Sequence, residues 1–409
     1  MRSNYKRLGN YIKLVEGRNA VLQTLPLMGL SITKKFIPSI ANLVGTDMTT
    51  YRTIIRNQFA YSPVTSRNGD KITIALFDDH DKALISQAYT PFEVIDKKEL
   101  LPEYLMMWFR RTEFDRYARF MSHGSARELF SWEDLCDLQM PIPSLTKQKE
   151  ILKEYNVIQN RIALNKQLIQ KLEETAQAIY KQWFVDFEFP GENGKPYKIN
   201  GGEVVFNEEL EKEIPKGWKV IKLKDLVGKE NPITYSVVKP GEEDENGVKF
   251  IRSGDVKNGE ILFSQLRTIS TKMSSQYKRT MLSGGEILIS IVGNPGQVAI
   301  VPFFLKDSNI ARQVALIKVV DNNVQLFLKN YLISKEGKES LKNITIGSVQ
   351  EVINLEDLRT LKSFIPAKKV LVKFDKIAKA LEKELQLNFL LNEKLLSLNA
   401  ILLSKLVTI

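Results

Sequence analysis

The chain has 409 residues, 43% of them apolar and 26% charged, with a formal charge of +11. That length and balance suit a folded protein of two or more domains and exclude a disordered or collagen-like chain. A single cysteine, Cys136, excludes a disulfide framework and a cysteine-built zinc site, and no apolar run approaches the roughly eighteen residues a membrane span needs. The basic surplus is spread thinly, with no polybasic block, so diffuse adhesion to polyanions is not its purpose, although a moderate surplus in each globular part suits a DNA partner. No signal-peptide pattern opens the chain, and the expected setting is a reducing cytoplasm with no membrane contact.

Residues 1–22 are ambiguous between a short helix and a strand. Leu25 to Ile37 predicts strand and turn. Gln58 to Tyr61 and Lys71 to Phe77 alternate as strands around the turn-rich Ser66–Asp70, and Ala88 to Ile95 is a further strand closed by Asp96. The loop Asp78-Asp79-His80-Asp81 reads as solvated rather than metal-binding. Leu101 to Phe120 predicts a helix, with Pro102 in its first turn. Leu145 to Phe187 then contains neither Gly nor Pro. Ile151, Ile158, Asn165, Leu172 and Ile179 recur at sevens, and Tyr155, Ile162, Ile169, Ala176 and Trp183 fill the complementary positions. This narrow apolar seam predicts one helix, about 60 Å long at 1.5 Å per residue, too long for an ordinary compact domain.

Pro190 to Pro215 reads as a linker. Ile214 to Trp218 opens a second globular part, in which Lys249 to Ile261 spells strand, Ser-Gly-Asp turn, Asn-Gly turn and strand. Glu286 to Val292 and Gln297 to Val301 predict a hairpin around Gly293–Gly296, followed by a strand at Val314–Val320 and a helix at Val324–Leu341. A second seam follows at Phe374, Leu381, Asn388, Leu395 and Leu402, each 223 residues beyond its counterpart in the first. Nine of the twenty positions in 124–143 are identical at the same offset, including Gly124-Ser125 with Gly347-Ser348 and Glu133-Asp134-Leu135 with Glu356-Asp357-Leu358. Leu27, Ile32 and Ile37 match Ile251, Val256 and Ile261 at 224. The chain reads as an internal repeat. It is an α+β protein with a mixed α/β domain at 1–146, a linker and second mixed α/β domain together at 190–366, and long helices at 147–189 and 367–409.

Catalytic patterns are missing from the sequence: no GxxxxGK[ST], GxSxG or HExxH, no Asn-Pro-Pro-aromatic tetrapeptide, and no Gly-rich loop after a strand for an adenosyl cofactor. This favours a binding protein. A scaffold that clamps protein partners without touching DNA is the alternative, and an enzyme with an unrecognised site is disfavoured.

The repeat, the Gly-Ser…Glu-Asp-Leu…Ile-Pro run before each long helix, Tyr180–Phe187, Ile214–Trp218 and Phe250–Glu260 together resemble the specificity subunit of type I restriction–modification systems. The resemblance covers essentially the whole chain. It implies two target-recognition domains reading the halves of a split double-stranded DNA site, related by a pseudo-twofold axis. Between them lie two antiparallel coiled-coil helices that set the unread spacer. It also implies two modification (methyltransferase) subunits, which hold S-adenosylmethionine and methylate adenine, and restriction subunits that translocate and cut. This chain itself would hold no cofactor or metal and perform no catalysis. In that arrangement the Asn165 and Asn388 side chains are expected to hydrogen-bond across the seam and lock its register, the alternative being that both merely face solvent. Loop residues with DNA-reading chemistry are Lys34, Lys35, Arg67, Lys71, Ser125 and Arg127 in the first half, and Arg252, Lys257, Lys272, Arg279, Arg312 and Gln350 in the second. Pro26–Ile37 departs from the Phe250–Glu260 pattern, which leaves open whether Thr33 and Lys34 serve as Asp255 and Lys257 do. Trp183-Phe184 reads either as an apolar helix end or as a docking point for a partner.

Overall fold

Apolar runs broken every few residues by Gly, Pro, Asn or Asp cannot extend into long strands, and the strands here span only two to five residues. The computed structural model describes residues 5–42, 45–66, 68–124, 127–257, 259–264 and 266–405. Its helices are α1 (Pro102–Phe109), α2 (Thr112–Met121), α3 (Trp132–Cys136), α4 (Leu145–Phe184), α5 (Thr271–Gln276), α6 (Asn322–Ile333), α7 (Lys335–Asn343), α8 (Leu355–Thr360) and α9 (Lys368–Lys405). The chain packs as two compact units. One draws on residues up to Leu164 together with those from Lys394 onward, and the other is Asn165–Glu393.

In the first unit, β1 (Tyr5–Arg7) pairs with β10 (Gln139–Pro141). One sheet runs β2 (Ile12–Leu14), β9 (Thr90–Val94), β6 (Phe59–Tyr61), β7 (Ile74–Leu76). The other runs β4 (Phe36–Pro38), β3 (Leu27–Leu30), β8 (Lys82–Ile85), β5 (Arg52–Ile55), with β3 parallel to β8. Phe59, Phe92, Phe109 and Phe130 fill the larger core, which Ile151, Leu152 and Tyr155 of α4 and Leu403 of α9 enter from the side. In this unit Gln159 of α4 donates to the Asn399 side chain of α9 at 2.7 Å.

The second unit adds a hairpin, β11 (Val204–Asn207) with β12 (Lys212–Pro215), inside the segment expected to be a linker. The pair β13 (Lys219–Lys222) and β24 (Lys362–Ile365) repeats the β1–β10 pairing. Strand β14 (Val248–Ile251) lies between β17 (Arg267–Ile269), antiparallel, and β20 (Asn309–Ile310), parallel. That places β14 as β3 is placed. Strand β18 (Ile287–Ser290) lies between β19 (Val298–Ile300) and β21 (Val314–Ile317) as β6 lies between β7 and β9. The bridge His123–Leu129 recurs as Ile346–Val352 in the pair β22 (Thr345–Ile346) and β23 (Val352–Ile353), and Val64–Leu129 recurs as Val292–Val352. Equivalence fails at one point. Ile37 lies in β4, the partner of β3, whereas Ile261 lies in β16 (Glu260–Ile261), which pairs with β15 (Val256–Lys257).

Each of the single helices expected at Leu101–Phe120 and Val324–Leu341 is two. Arg111 is extended between α1 and α2, and Ser334 between α6 and α7, where its hydroxyl accepts from the Gly337 N–H. A Cβ on Gly337 would sit 2.0 Å from the Tyr331 carbonyl oxygen, so only glycine fits where the first turn of α7 packs against the end of α6. Each core seals itself with the nearby turns of both long helices. Trp183 and Phe184 are not presented to a partner. They are buried with Trp218, Phe327 and Phe374 in the second unit's own core.

Within that unit α4 and α9 run antiparallel: Asn165 lies opposite Asn388, and Trp183 opposite Phe374 with ring centroids 5.8 Å apart. Both Asn side chains are buried. The expected bond between the two side chains does not form, and Asn165 bonds the facing backbone instead. Asn165 Nδ2 donates to the Asn388 backbone carbonyl at 2.8 Å, while Asn388 Nδ2 donates to its own helix at the Glu384 carbonyl, 2.7 Å. Asn165→Leu therefore orphans no buried donor of Asn388. Burying a leucine there outweighs one net hydrogen bond, so thermal unfolding should show a gain of about 1 kcal/mol. An equal loss would mean that the Asn165 bond dominates.

Candidate functional site

The turn that follows Met121 has no room for a side chain at its first position. Gly124 has φ +138°, and a Cβ there would lie 2.1 Å from the Arg127 carbonyl oxygen. Gly347, at φ +99°, stands in the same relation to Gln350, with 2.4 Å. Only glycine closes such a turn, and in each unit it leaves the fourth residue, Arg127 or Gln350, exposed. The two units thus present different hydrogen-bonding side chains from one backbone device.

Around Arg127 the structure gathers other predicted loops. Thr65 N–H donates to the Glu128 carbonyl at 3.0 Å and Phe130 N–H to that of Pro63 at 2.9 Å, which ties the segment before Lys71 to the turn. Lys35 and Lys71 are exposed. Arg67 and Ser125 lie outside the described residues. Lys34 is a correction. Its side chain is 6% exposed, with the ammonium 2.8 Å from Asp115 Oδ1 and donating to the Phe109 carbonyl, so it has no surface to offer. Burial pulls its pKa below the usual lysine value, against the pull of Asp115.

In the second unit Arg252 is paired with a carboxylate but, unlike Lys34, keeps 43% of its side chain exposed. Its Nε and one terminal nitrogen each donate to the Asp255 carboxylate at 3.1 Å, clamping the Ser253–Asp255 turn. Lys272 on α5, Arg279 on the following turn and Arg312 after β20 are exposed and border one small core built from Val237, Phe250, Ile269 and Ala311 with Met273 and Tyr277. The exposed Lys239, Lys249 and Lys278 flank the same segments and went unnoticed in the sequence. Alternation about Phe250 could have revealed Lys249.

Lys257 is exposed but stands apart, on the β15–β16 hairpin that meets the long helices of its unit. Glu260 of that hairpin is pushed up to about 7, first by burial and then by Glu173 and Glu393, with Lys166 and Lys257 opposing. Below its ordinary value of 4.5 the carboxyl is protonated in folded and unfolded chains alike. As pH rises from there to about 7 only the unfolded chain ionises, so stability falls, and the loss persists at higher pH. Glu260→Gln should leave the melting temperature unchanged near pH 4 and raise it at pH 8. A pH-independent difference would count against this origin.

A cavity of about 730 Å³ opens in the second unit among Glu173, Gln177, Gly296, Lys329, Lys338 and Lys342. Lys329 is committed to a buried ion pair with Glu382. Among the described residues no group of three or more His, Cys, Asp or Glu side chains could hold a metal, and no helix is long and apolar enough to cross a membrane. The exposed candidates Lys35, Lys71, Arg127, Lys272, Arg279, Arg312 and Gln350 carry cations and an amide, groups that suit hydrogen bonding to phosphates and base edges.

The family pattern described as "Type I restriction modification DNA specificity domain" matches residues 49–174 and 215–399. The type I restriction enzyme EcoBI specificity subunit of Escherichia coli is 27% identical over 297 residues, 70% of this chain and 59% of the relative. The MjaIX specificity subunit of Methanocaldococcus jannaschii is 27% identical over 70% of this chain and 64% of its own length. The matched stretch thus spans about three-fifths of these relatives. The HindI specificity subunit of Haemophilus influenzae is 22% identical over 87% of this chain and 86% of its own. Among solved structures, the crystal structure of a type I restriction–modification S subunit from M. genitalium aligns with a TM-score of 0.56 at 16% identity, covering 98% and 95% of the two chains, a likeness of fold.

Proposed function

The chain belongs to the type I restriction–modification DNA specificity family, and from that premise we propose that it is the non-catalytic, DNA-reading subunit of a cytoplasmic restriction–modification complex. Each unit reads one half of a bipartite site in double-stranded DNA, and α4 and α9 set the unread spacer between the halves. Two modification subunits, which hold S-adenosylmethionine, and the restriction subunits supply the chemistry. A protein scaffold with no DNA role is not favoured.

One observation carries the reading: topologically equivalent turns, each closed by a glycine, expose Arg127 in one unit and Gln350 in the other. Arginine matches the O6 and N7 acceptors of guanine, and glutamine the N6 and N7 pattern of adenine. Exposed Lys35, Lys71, Lys272, Arg279 and Arg312 are assigned mainly to phosphates. Such contacts bring affinity and salt dependence without sequence information. The test is selection from randomised duplexes by the full chain with its modification subunits. The expected product is two short conserved blocks separated by a fixed unread gap. A single block, or none, would sink the assignment.

A further inference from the structure

Lys34 occupies a position that a side chain makes costly. Its φ is +61° in the Ser31–Lys35 turn, where glycine would carry no penalty. The side chain nevertheless turns inward. Its ammonium meets Asp115 on α2 and the Phe109 carbonyl at the end of α1, over the face of Phe114. Asp115 Oδ1 also accepts the Ile72 N–H at 3.1 Å. One carboxylate therefore joins the turn bearing Lys35, the segment bearing Lys71, and the helix that leads into the Gly124–Arg127 turn. A buried ion pair of this kind is a poor source of stability, since apolar residues of similar volume often serve as well or better. What it supplies is a fixed relation among three segments.

Among the described residues the second unit shows no equivalent pair at these positions. The position 223 residues beyond Asp115 is Lys338, which lines the open cavity. The turn after β14 is held locally by Arg252 and Asp255 instead.

We propose that Lys34 is a positioning residue for the first recognition unit: its buried contact with Asp115 sets the register between the Lys35, Lys71 and Arg127 loops, and through them the base preference of one half-site only. This rests on the DNA-reading function proposed above. Lys34 touches no base itself.

The test compares wild type, Lys34→Arg, Asp115→Asn and the double variant Lys34→Met with Asp115→Leu. All are full chains with their modification subunits, scored for base preference at each half-site on randomised duplexes and for thermal unfolding. The double variant is expected to unfold near the wild-type temperature, to keep the second half-site, and to lose about tenfold in discrimination at the first. Lys34→Arg, which keeps the pair, is expected to retain both. Unchanged first-half preference in a folded double variant would overturn the proposal, and so would equal losses at both half-sites. Should the double variant fail to fold, Asp115→Asn decides by the same two outcomes. Failure of both to fold would make the pair purely structural and also overturn it. Wild-type protein lacking any two-part preference would instead reject the DNA-reading function.

Discussion

Arg127→Ala is expected to relax base preference at one half-site while leaving the other intact, and Gln350→Ala to do the converse. Both residues are exposed, and each follows a glycine whose missing Cβ allows the turn. Truncation therefore removes the reader without disturbing its support. A good bidentate contact contributes about 1–3 kcal/mol of discrimination, so the favoured base should lose roughly five- to 150-fold of its advantage. Methylome sequencing of a host carrying each variant would read both halves at once. An unchanged pattern in both variants would remove these turns from the recognition surface. By contrast, Lys71→Ala should weaken binding evenly across sequences and flatten its salt dependence, as loss of a phosphate contact does.

The largest loss of stability is expected from Phe184→Ala. The ring is fully buried, with centroids 4.8 Å from both Phe327 and Phe374 and 6.0 Å from Trp218. It thus ties the end of α4, the start of α9, α6 and the entry strand region of the second unit into one core. Deleting a buried phenylalanine typically costs about 3–5 kcal/mol, since neighbours relax only partly into the space. Calorimetry should show unfolding lowered by roughly ten degrees. Val185→Ala, at an exposed neighbouring position, should move it by less than about 0.5 kcal/mol. Equal effects from the two would show that Phe184 is not the keystone inferred here.

The apolar periodicity located α4 and α9 because a seam repeating at seven is a local property of a helix. The turn residues likewise marked β18, β19 and the gap between them. Legibility failed where a distant partner decided the outcome. Whether Trp183-Phe184 faced a partner or its own core depended on Phe327 and Trp218, far along the chain. The helix breaks at Arg111 and Ser334 were hidden because both flanking segments are good helix formers.

The same divide separates the candidate readers. Residue type nominated Lys34 alongside Lys35 and Arg312, since a cation in a polar loop looks the same whichever way it points. The linear chain determined the repeat, the two long helices, the glycine-closed turns and the absence of catalytic motifs, all of which depend on spacing alone. Only the tertiary structure decided which cations remain available. Desolvating a charge is costly without a partner, and the partners that keep Lys34 inside, Asp115 and the Phe109 carbonyl, lie some eighty residues away in sequence and in direct contact in space.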